Sequence, residues 1–272
     1  MSETSPHVPS GVVPVSQGGR QLLDLVRVQA LLRAPGGCPC DAEQTHQTLA
    51  RHLLEETHEL LEAIDADDSD AIREELGDLL LQVTFHAQIA ADDGRWDVDD
   101  VAQGLVEKLI HRHPHVFGDV DVSGADEVLV NWEKLKTEEK GERPVEDDIP
   151  VTLPALARAA KVQRRAAGRG FEWRSAGSAL AALREEVDEL GSAIDAGDEG
   201  NAEEEIGDVL FSVVAVARKL GVDGESALRR TIRGFAQRYE RFAGAVAERG
   251  LDLDAMSEAD VRALFREVRT VP

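Results

Sequence analysis

Cysteine is almost absent: Cys38 and Cys40 form a single Cys-x-Cys with no second pair in 272 residues. That excludes a disulfide framework and a four-ligand zinc site, and leaves reduced thiols in the cytoplasm as the expectation. Aromatic residues make up 4% of the chain, and nothing in it resembles a β-protein. No run of about 18 apolar residues is available to span a membrane. The N-terminus also lacks the charged-then-apolar order of a signal peptide, so neither membrane insertion nor export is expected. No G-x-x-x-x-G-K-[ST] occurs, which excludes a P-loop ATPase. Positive charge is scarce too: 30 Lys and Arg stand against 53 Asp and Glu, a net charge of -23. Such a balance repels nucleic acid unless a local basic stripe exists. It suits an enzyme that admits small phosphates through bound cations, and equally a plain soluble cytosolic protein.

What is abundant is Ala, Leu, Glu and Arg, the residues of helices, within a hydrophobic fraction of 42% that supports a packed core. The expected fold class is all-α. The chain is organised around Leu53 to Leu81, LLEETHELLEAIDADDSDAIREELGDLLL. Glu56 and Glu59 on its first segment, and Glu75 and Asp78 on its second, stand three apart, a step that keeps two carboxylates on one helix face. Leu53, Leu54, Leu60, Leu61 and Ile64, with Ile72, Leu76, Leu79 and Leu80, are expected to pack the two helices together, and Asp65 to Asp70 to form the turn. Antiparallel neighbours would bring the four acids to one spot, where mutual repulsion calls for a cation. Oxygen-only ligands select a hard ion, Mg²⁺ first and Mn²⁺ second. Taken alone, the pattern is also that of acids solvating helix faces.

The pattern occurs twice. In LREEVDELGSAIDAGDEGNAEEEIGDVLF the residues Glu186, Glu189, Glu205 and Asp208 each lie 130 positions after their counterparts, as do Ala193, Ile194 and Gly207 after Ala63, Ile64 and Gly77. A repeat in unbroken register implies two copies of one structural unit.

Glu-Glu-x-x-Glu followed by Glu-x-x-Asp, present as EETHE with ELGD and as EEVDE with EIGD, resembles the signature of the MazG family of nucleoside triphosphate pyrophosphohydrolases. GGCPCDAEQT, RHPHVFGD, NWEKLKTEEK, DDIPVTLPALARAAKVQRRAA and GFEW look like further landmarks of its two-domain members, covering roughly Leu22 to Val268. The resemblance implies two tandem helical-bundle units, completed by pairing into a homodimer. It also implies hydrolysis of (deoxy)nucleoside triphosphates to monophosphate and pyrophosphate with Mg²⁺, as house-cleaning of the nucleotide pool.

In chain order, residues 1–19 lack periodicity and are expected to stay disordered. A first domain spans 20–139, with helices at Gln21 to Arg33, through the two acid segments to Ala90, at Asp99 to His111 where Pro114 ends it, and at Asp126 to Glu139. Asp41 to Gln44 is acidic at the start of the segment leading into the first acid helix. A linker at 140–154 carries three prolines. A second domain at 155–272 repeats the plan with helices at Leu156 to Ala167, Ala179 to Ile194, Asn201 to Leu220, Ser226 to Glu248 and Ser257 to Val268.

Cleaving a triphosphate needs neutralised phosphate oxygens and an activated water. Carboxylates holding the cation meet the first need, and Glu55 or Glu56 is the candidate to accept the water's proton. The resemblance assigns phosphate contacts to Lys108 and Arg112 in EKLIHRHPHVF and to Arg238 in TIRGFAQRYERF, and base stacking to Trp132 and Phe265. The second unit departs from the family, with Gly234 where Lys is usual, Ile232 where Asn is usual and Phe265 where Trp is common; Arg233 is a candidate to compensate. Cys40 replaces the Trp of the family's CPWD run. The first unit is therefore the preferred catalyst, although in the family the second is often the catalytic one.

Other features have two readings. His111, His113 and His115 resemble a metal tract, but Pro114 interrupts the helix and the second unit has no counterpart. Lys161, Arg164, Arg165 and Arg169 form either a solvated helix face or a phosphate aid to a neighbouring site. Glu55 and His58 match the Glu-x-x-His of di-iron bundles once, but the second copy has Asp188 in place of His58. A non-catalytic interaction or dimerisation module is the alternative for one half, the C-terminal one above all.

Overall fold

A computed structural model describes residues 20–124, 128, 131–132, 135 and 144–268. The expectation for residues 1–19 and most of that for Asp126 to Glu139 lie outside them. The chain divides into two compact units, Met1–Gly141 and Glu142–Pro272, and among the described residues there is no strand. The fold is all-α, as expected.

Unit 1 holds α1 (Arg20–Arg33), α2 (Pro39–Ala42), α3 (His46–Ala66), α4 (Ser69–Asp92), α5 (Val98–Arg112) and α6 (Pro114–Phe117). Unit 2 holds α7 (Ala155–Gly168), α8 (Ala176–Ala196), α9 (Glu199–Lys219), α10 (Gly224–Glu248), a 3₁₀ turn at Leu253–Ala255 and α11 (Glu258–Glu267). In each unit the acid-bearing helices form a tight hairpin, α3 on α4 and α8 on α9, against which α1 or α7 packs on the second helix.

The hairpins are set by matching local chemistry. Thr45 and Ser175 each cap the first helix, accepting from the backbone N–H three residues on while Thr48 or Ser178 returns a hydroxyl to the cap N–H. Asp67 and Gly197 end those helices in the left-handed region, at φ 55° and 68°. Asp68 and Asp198 then cap the second helices through their carboxylates. Two residues therefore complete each turn, tighter than the six expected from Asp65 to Asp70. The segment Asp41 to Gln44 does not begin α3; Arg33 donates to the Asp41 and Gln44 carbonyls and pairs with Asp92 at 2.7 Å, pinning that connection between α1 and α4. Pro114 ends α5 as expected and occupies the first turn of α6, where its missing N–H is harmless.

Leu49, Phe85 and Ile89 form the core of unit 1 with Leu81 beside them, each buried side chain worth about 1.5–3 kcal/mol. Phe242, Leu264 and Val268 do the same in unit 2. The hairpin seams are lined by small residues, Ala63 and Ala193, both buried. The leucine stripe is consequently only partly used. Leu60, Leu61, Ile72 and Leu79 are half-buried, whereas Leu53, Leu54, Ile64, Leu76 and Leu80 face outward. Two helices can cover only one strip of each other, and the apolar band is wider than that strip.

Residues 144–154 are turns and extended chain, with Ile149 buried. Arg165 of α7 donates to the Val145 and Asp147 carbonyls, and Arg158 pairs with Glu146 at 3.1 Å.

Candidate active site

In unit 1 carboxylate oxygens of Glu56, Glu75 and Asp78 all lie within 4.8 Å of one another. All three residues are half-buried, and Glu75 Oε2 is shut off from solvent with no hydrogen-bond partner. Partial burial, then the charges of Asp78, Glu59 and Glu55, raise the Glu56 carboxyl above its usual range, with His52 alone opposing. Glu75 is raised in the same way, by burial and then by Glu59, Asp78, Glu56 and Glu74. Every charge acting on Glu75 is thus an acid. Glu59 is exposed and stands at the edge of the group rather than within the triad.

Unit 2 repeats the arrangement with Glu186, Glu205 and Asp208, again within 4.8 Å. Burial raises Glu186 and Glu205, with Asp208 and Glu189 the leading charges respectively. Glu189 is exposed, as Glu59 is. Each triad draws its first member from one helix of the hairpin and the other two from the next.

The donor set fits a hard divalent cation. It offers only carboxylate oxygens, they repel one another as they stand, and a buried oxygen of Glu75 has no other partner. Among the described residues these two triads are the groups of three ligand-type side chains that converge. His111, His113 and His115 do not; His113 instead bonds the Leu109 carbonyl at 2.6 Å and packs against His115. Glu55 faces outward, 3.1 Å from His52 Nδ1, and His58 is exposed, so no Glu-x-x-His ligand pair enters the cluster.

The expected phosphate and base residues sit on other elements. Lys108 is exposed on α5, and four residues on Arg112 is half-buried with its guanidinium 5.5 Å from the Trp132 ring centre. His113 meets the same ring edge-on at 4.9 Å. In unit 2 Arg238 lies 4.3 Å over Phe265, whose other neighbours are Phe235 and Phe242. The basic group on α7 divides: Arg165 is spent on backbone carbonyls, Lys161 is half-buried, and Arg164 and Arg169 are exposed.

Sequence reasoning overlooked the polar anchors. Buried Gln163 donates to the Phe211 carbonyl at 2.8 Å and receives Arg218, which with Lys219 holds Glu172 of the GFEW run. Burial is the largest single effect on the Glu172 carboxyl and opposes the shift, but the Arg218 and Lys219 contacts and the Trp173 N–H together outweigh it and pull the group below its usual range. The hairpin caps were visible in principle, because Thr45 and Ser175 obey the same 130-residue offset as the acids.

Helix hairpins that gather carboxylates for a divalent cation define a class of all-α, oxygen-ligand metal sites. Comparison with known proteins narrows it. The MazG nucleotide pyrophosphohydrolase domain matches twice, at residues 44–117 and 174–242. The chain is 41% identical over 255 residues to the nucleoside triphosphate pyrophosphohydrolase of Escherichia coli K12, covering 92% of this chain and 97% of that protein. It is also 41% identical over 244 residues to the nucleoside triphosphate pyrophosphohydrolase/pyrophosphatase MazG of Thermotoga maritima, with 89% and 93% covered. A nucleoside triphosphate pyrophosphohydrolase of Mycobacterium tuberculosis matches at 47% over 160 residues, 58% of this chain and 48% of that protein. The chain belongs to the MazG family.

Proposed function

We propose that the protein hydrolyses (deoxy)nucleoside triphosphates to the monophosphate and pyrophosphate, using Mg²⁺ or Mn²⁺, as nucleotide house-cleaning in the cytoplasm. The observation that carries this reading is the convergence of three carboxylates in each hairpin, all half-buried in unit 1, with the partnerless oxygen of Glu75 among them. Glu56, Glu59, Glu75 and Asp78 would hold the cation in unit 1, and Glu186, Glu189, Glu205 and Asp208 in unit 2. When bound, it neutralises phosphate oxygens and lowers the barrier to attack at phosphorus.

The chain's own groups supply the rest. Water adds to the α-phosphorus, the bond to the bridging oxygen breaks, and pyrophosphate leaves with that oxygen. The water's proton goes to a carboxylate, for which Glu55 and Glu56 are the proposed candidates; Glu55 is the one that stands outside the triad. Lys108 and Arg112, and in unit 2 Arg238, are the proposed phosphate contacts, and Trp132 and Phe265 the aromatic faces for a base. Both triads are alike in geometry, so the preference for unit 1 rests on its Lys108, Arg112 and Trp132. The domains are proposed at 20–139 and 155–272, joined by 140–154.

A homodimer is supported by the apolar residues left open at matching positions of the two hairpins. Ile64 and Ile194 are 51% and 63% exposed, Leu76 and Ile206 52% and 50%. Packing a second copy on these stripes would complete a bundle core. Sedimentation of the full chain tests it; a monomer at micromolar concentration would count against it.

The test of function is pyrophosphate release by the full chain from a panel of nucleoside triphosphates, with and without divalent cation. Release that requires the cation and disappears when Glu75 and Glu205 are both changed to Gln is the expected result. Cation-independent release, or none with any nucleotide, would instead favour an interaction module.

A further inference from the structure

We propose that His46 and His86 form a proton-gated clamp that closes the end of the α3–α4 hairpin opposite the Asp67–Asp68 turn. His46 is the first residue of α3 and His86 lies far along α4. Their Nδ1 atoms are 2.7 Å apart. The ring centres are 5.0 Å apart with planes only 11° from parallel. With the nitrogens that close and the centres that far, the rings meet end to end in nearly one plane, the geometry of a straight N–H···N hydrogen bond.

The proton positions follow from the third member. Arg95 places a guanidinium nitrogen 3.0 Å from His46 Nε2. A guanidinium can only donate, so His46 Nε2 is an acceptor and carries no proton. The His46 proton is then on Nδ1, donated to His86 Nδ1, and the His86 proton is on Nε2. Both rings are neutral. One further proton must go to His86 Nδ1, against the His46 N–H, or to His46 Nε2, against Arg95. Either breaks a hydrogen bond of the clamp.

Among the described residues, no carboxylate is bonded to either imidazole. Arg95 is paired with Asp93 at 3.0 Å. From α1, Arg33 is committed to Asp92 at the end of α4. The Asp97 and Asp100 carboxylates at the start of α5 are turned onto that helix's own N–H groups. Trp96 covers His46, its ring 6.3 Å away and 20° from parallel. Burial, and then the repulsion that a protonated His46 would exert, hold the His86 imidazole below its ordinary range, in keeping with a ring that resists a second proton.

The clamp belongs to unit 1 alone, since the positions 130 residues on are Ala176 and Val216. Acid should therefore loosen the first turns of α3 while α8 stays closed. His46 is ten residues before Glu56, about 15 Å along a helix, so the clamp is separate from the carboxylate triad and stands whether or not the catalytic reading does.

The test uses the full chain with ¹⁵N-labelled histidine. At pH 7.5, long-range ¹H–¹⁵N correlation should find His46 as the Nδ1–H tautomer and His86 as Nε2–H, with His86 titrating below the ordinary value of about 6.5. The opposite tautomer at His46, or His86 titrating at 6.5, overturns the proposal. In hydrogen exchange corrected for intrinsic rate, protection of the Leu49 to Leu53 amides should fall about tenfold more between pH 7.5 and 5.5 than that of the Ala179 to Leu183 amides. The double variant His46→Gln, His86→Gln, which has neither titrating ring, should abolish that difference. Equal changes in the two helices of the unaltered protein would refute the clamp without need of the variant.

Discussion

Arg238 lays its guanidinium over the Phe265 ring at 4.3 Å, while its Nε, closed off from solvent, has no hydrogen-bond partner. Arg112 makes the same ring contact with Trp132 in unit 1, at 5.5 Å. An aromatic face orients the cation without satisfying its donors. Changing Arg238 to Ala should alter stability by no more than about 1 kcal/mol yet weaken binding of inorganic tripolyphosphate to unit 2 about tenfold, equivalent to the loss of one charge-assisted hydrogen bond. Calorimetry on a chain whose unit 1 triad is disabled by Glu75→Gln measures both. Phe265→Ala should behave differently, costing about 2–3 kcal/mol because the ring also packs against Phe242 and Phe235.

The four raised glutamates, Glu56, Glu75, Glu186 and Glu205, bind protons more readily folded than unfolded. Between the ordinary carboxylate range and their raised values the native state holds the excess protons, so their contribution to stability falls as pH rises through that window. His86 acts oppositely, because its depressed value makes the unfolded chain the better proton acceptor near pH 6.5. The carboxylate part is isolated by comparison: metal-free Glu75→Gln, Glu205→Gln should melt higher than the unaltered protein at pH 7.5, and the gap should shrink towards pH 5. Saturating Mg²⁺ should reverse the order, since only the unaltered triads gain from it.

Glu59 and Glu189 stand exposed beside the triads, so their removal should cost less than removal of a triad member. Glu59→Gln should weaken cation binding to unit 1 about tenfold and Glu75→Gln more than about 100-fold, by analogy with outer and inner ligands. The same substitutions apportion turnover. If pyrophosphate release is unchanged in Glu59→Gln but lost in Glu189→Gln, the preference for unit 1 is reversed.

Asp67 and Gly197 occupy equivalent left-handed caps, at φ 55° and 68°. A side chain there is strained relative to glycine, modestly for Asp. Asp67→Gly should stabilise unit 1 by about 0.5 kcal/mol and Gly197→Ala should destabilise unit 2 by about 1 kcal/mol. Nothing lies within 4 Å of a Cβ built at Gly197, so the cost is one of backbone conformation alone. Thermal unfolding of the two variants reads both signs.

Helix content, the duplicated hairpin and the converging acids were legible because they are periodic and local. Glu56, Glu75 and Asp78 could be read from three-residue spacing plus an antiparallel turn. The turn itself was drawn too long, because Asp67 takes the left-handed cap that Gly197 announces plainly in the other copy. Which leucines face the seam was not legible: Leu60 and Leu76 carry the same hydrophobic signal, yet Leu60 is half-buried and Leu76 faces outward. The His46–His86 contact joins residues 40 apart through a side chain on each helix, and neither stands out in the helical pattern.

Each triad is drawn from consecutive helices joined by two residues, so its ligands span only 23 positions of chain. Contacts so local close quickly and demand little loop entropy. During synthesis the first cation site could assemble while most of the second half was still untranslated, letting each half mature on its own clock.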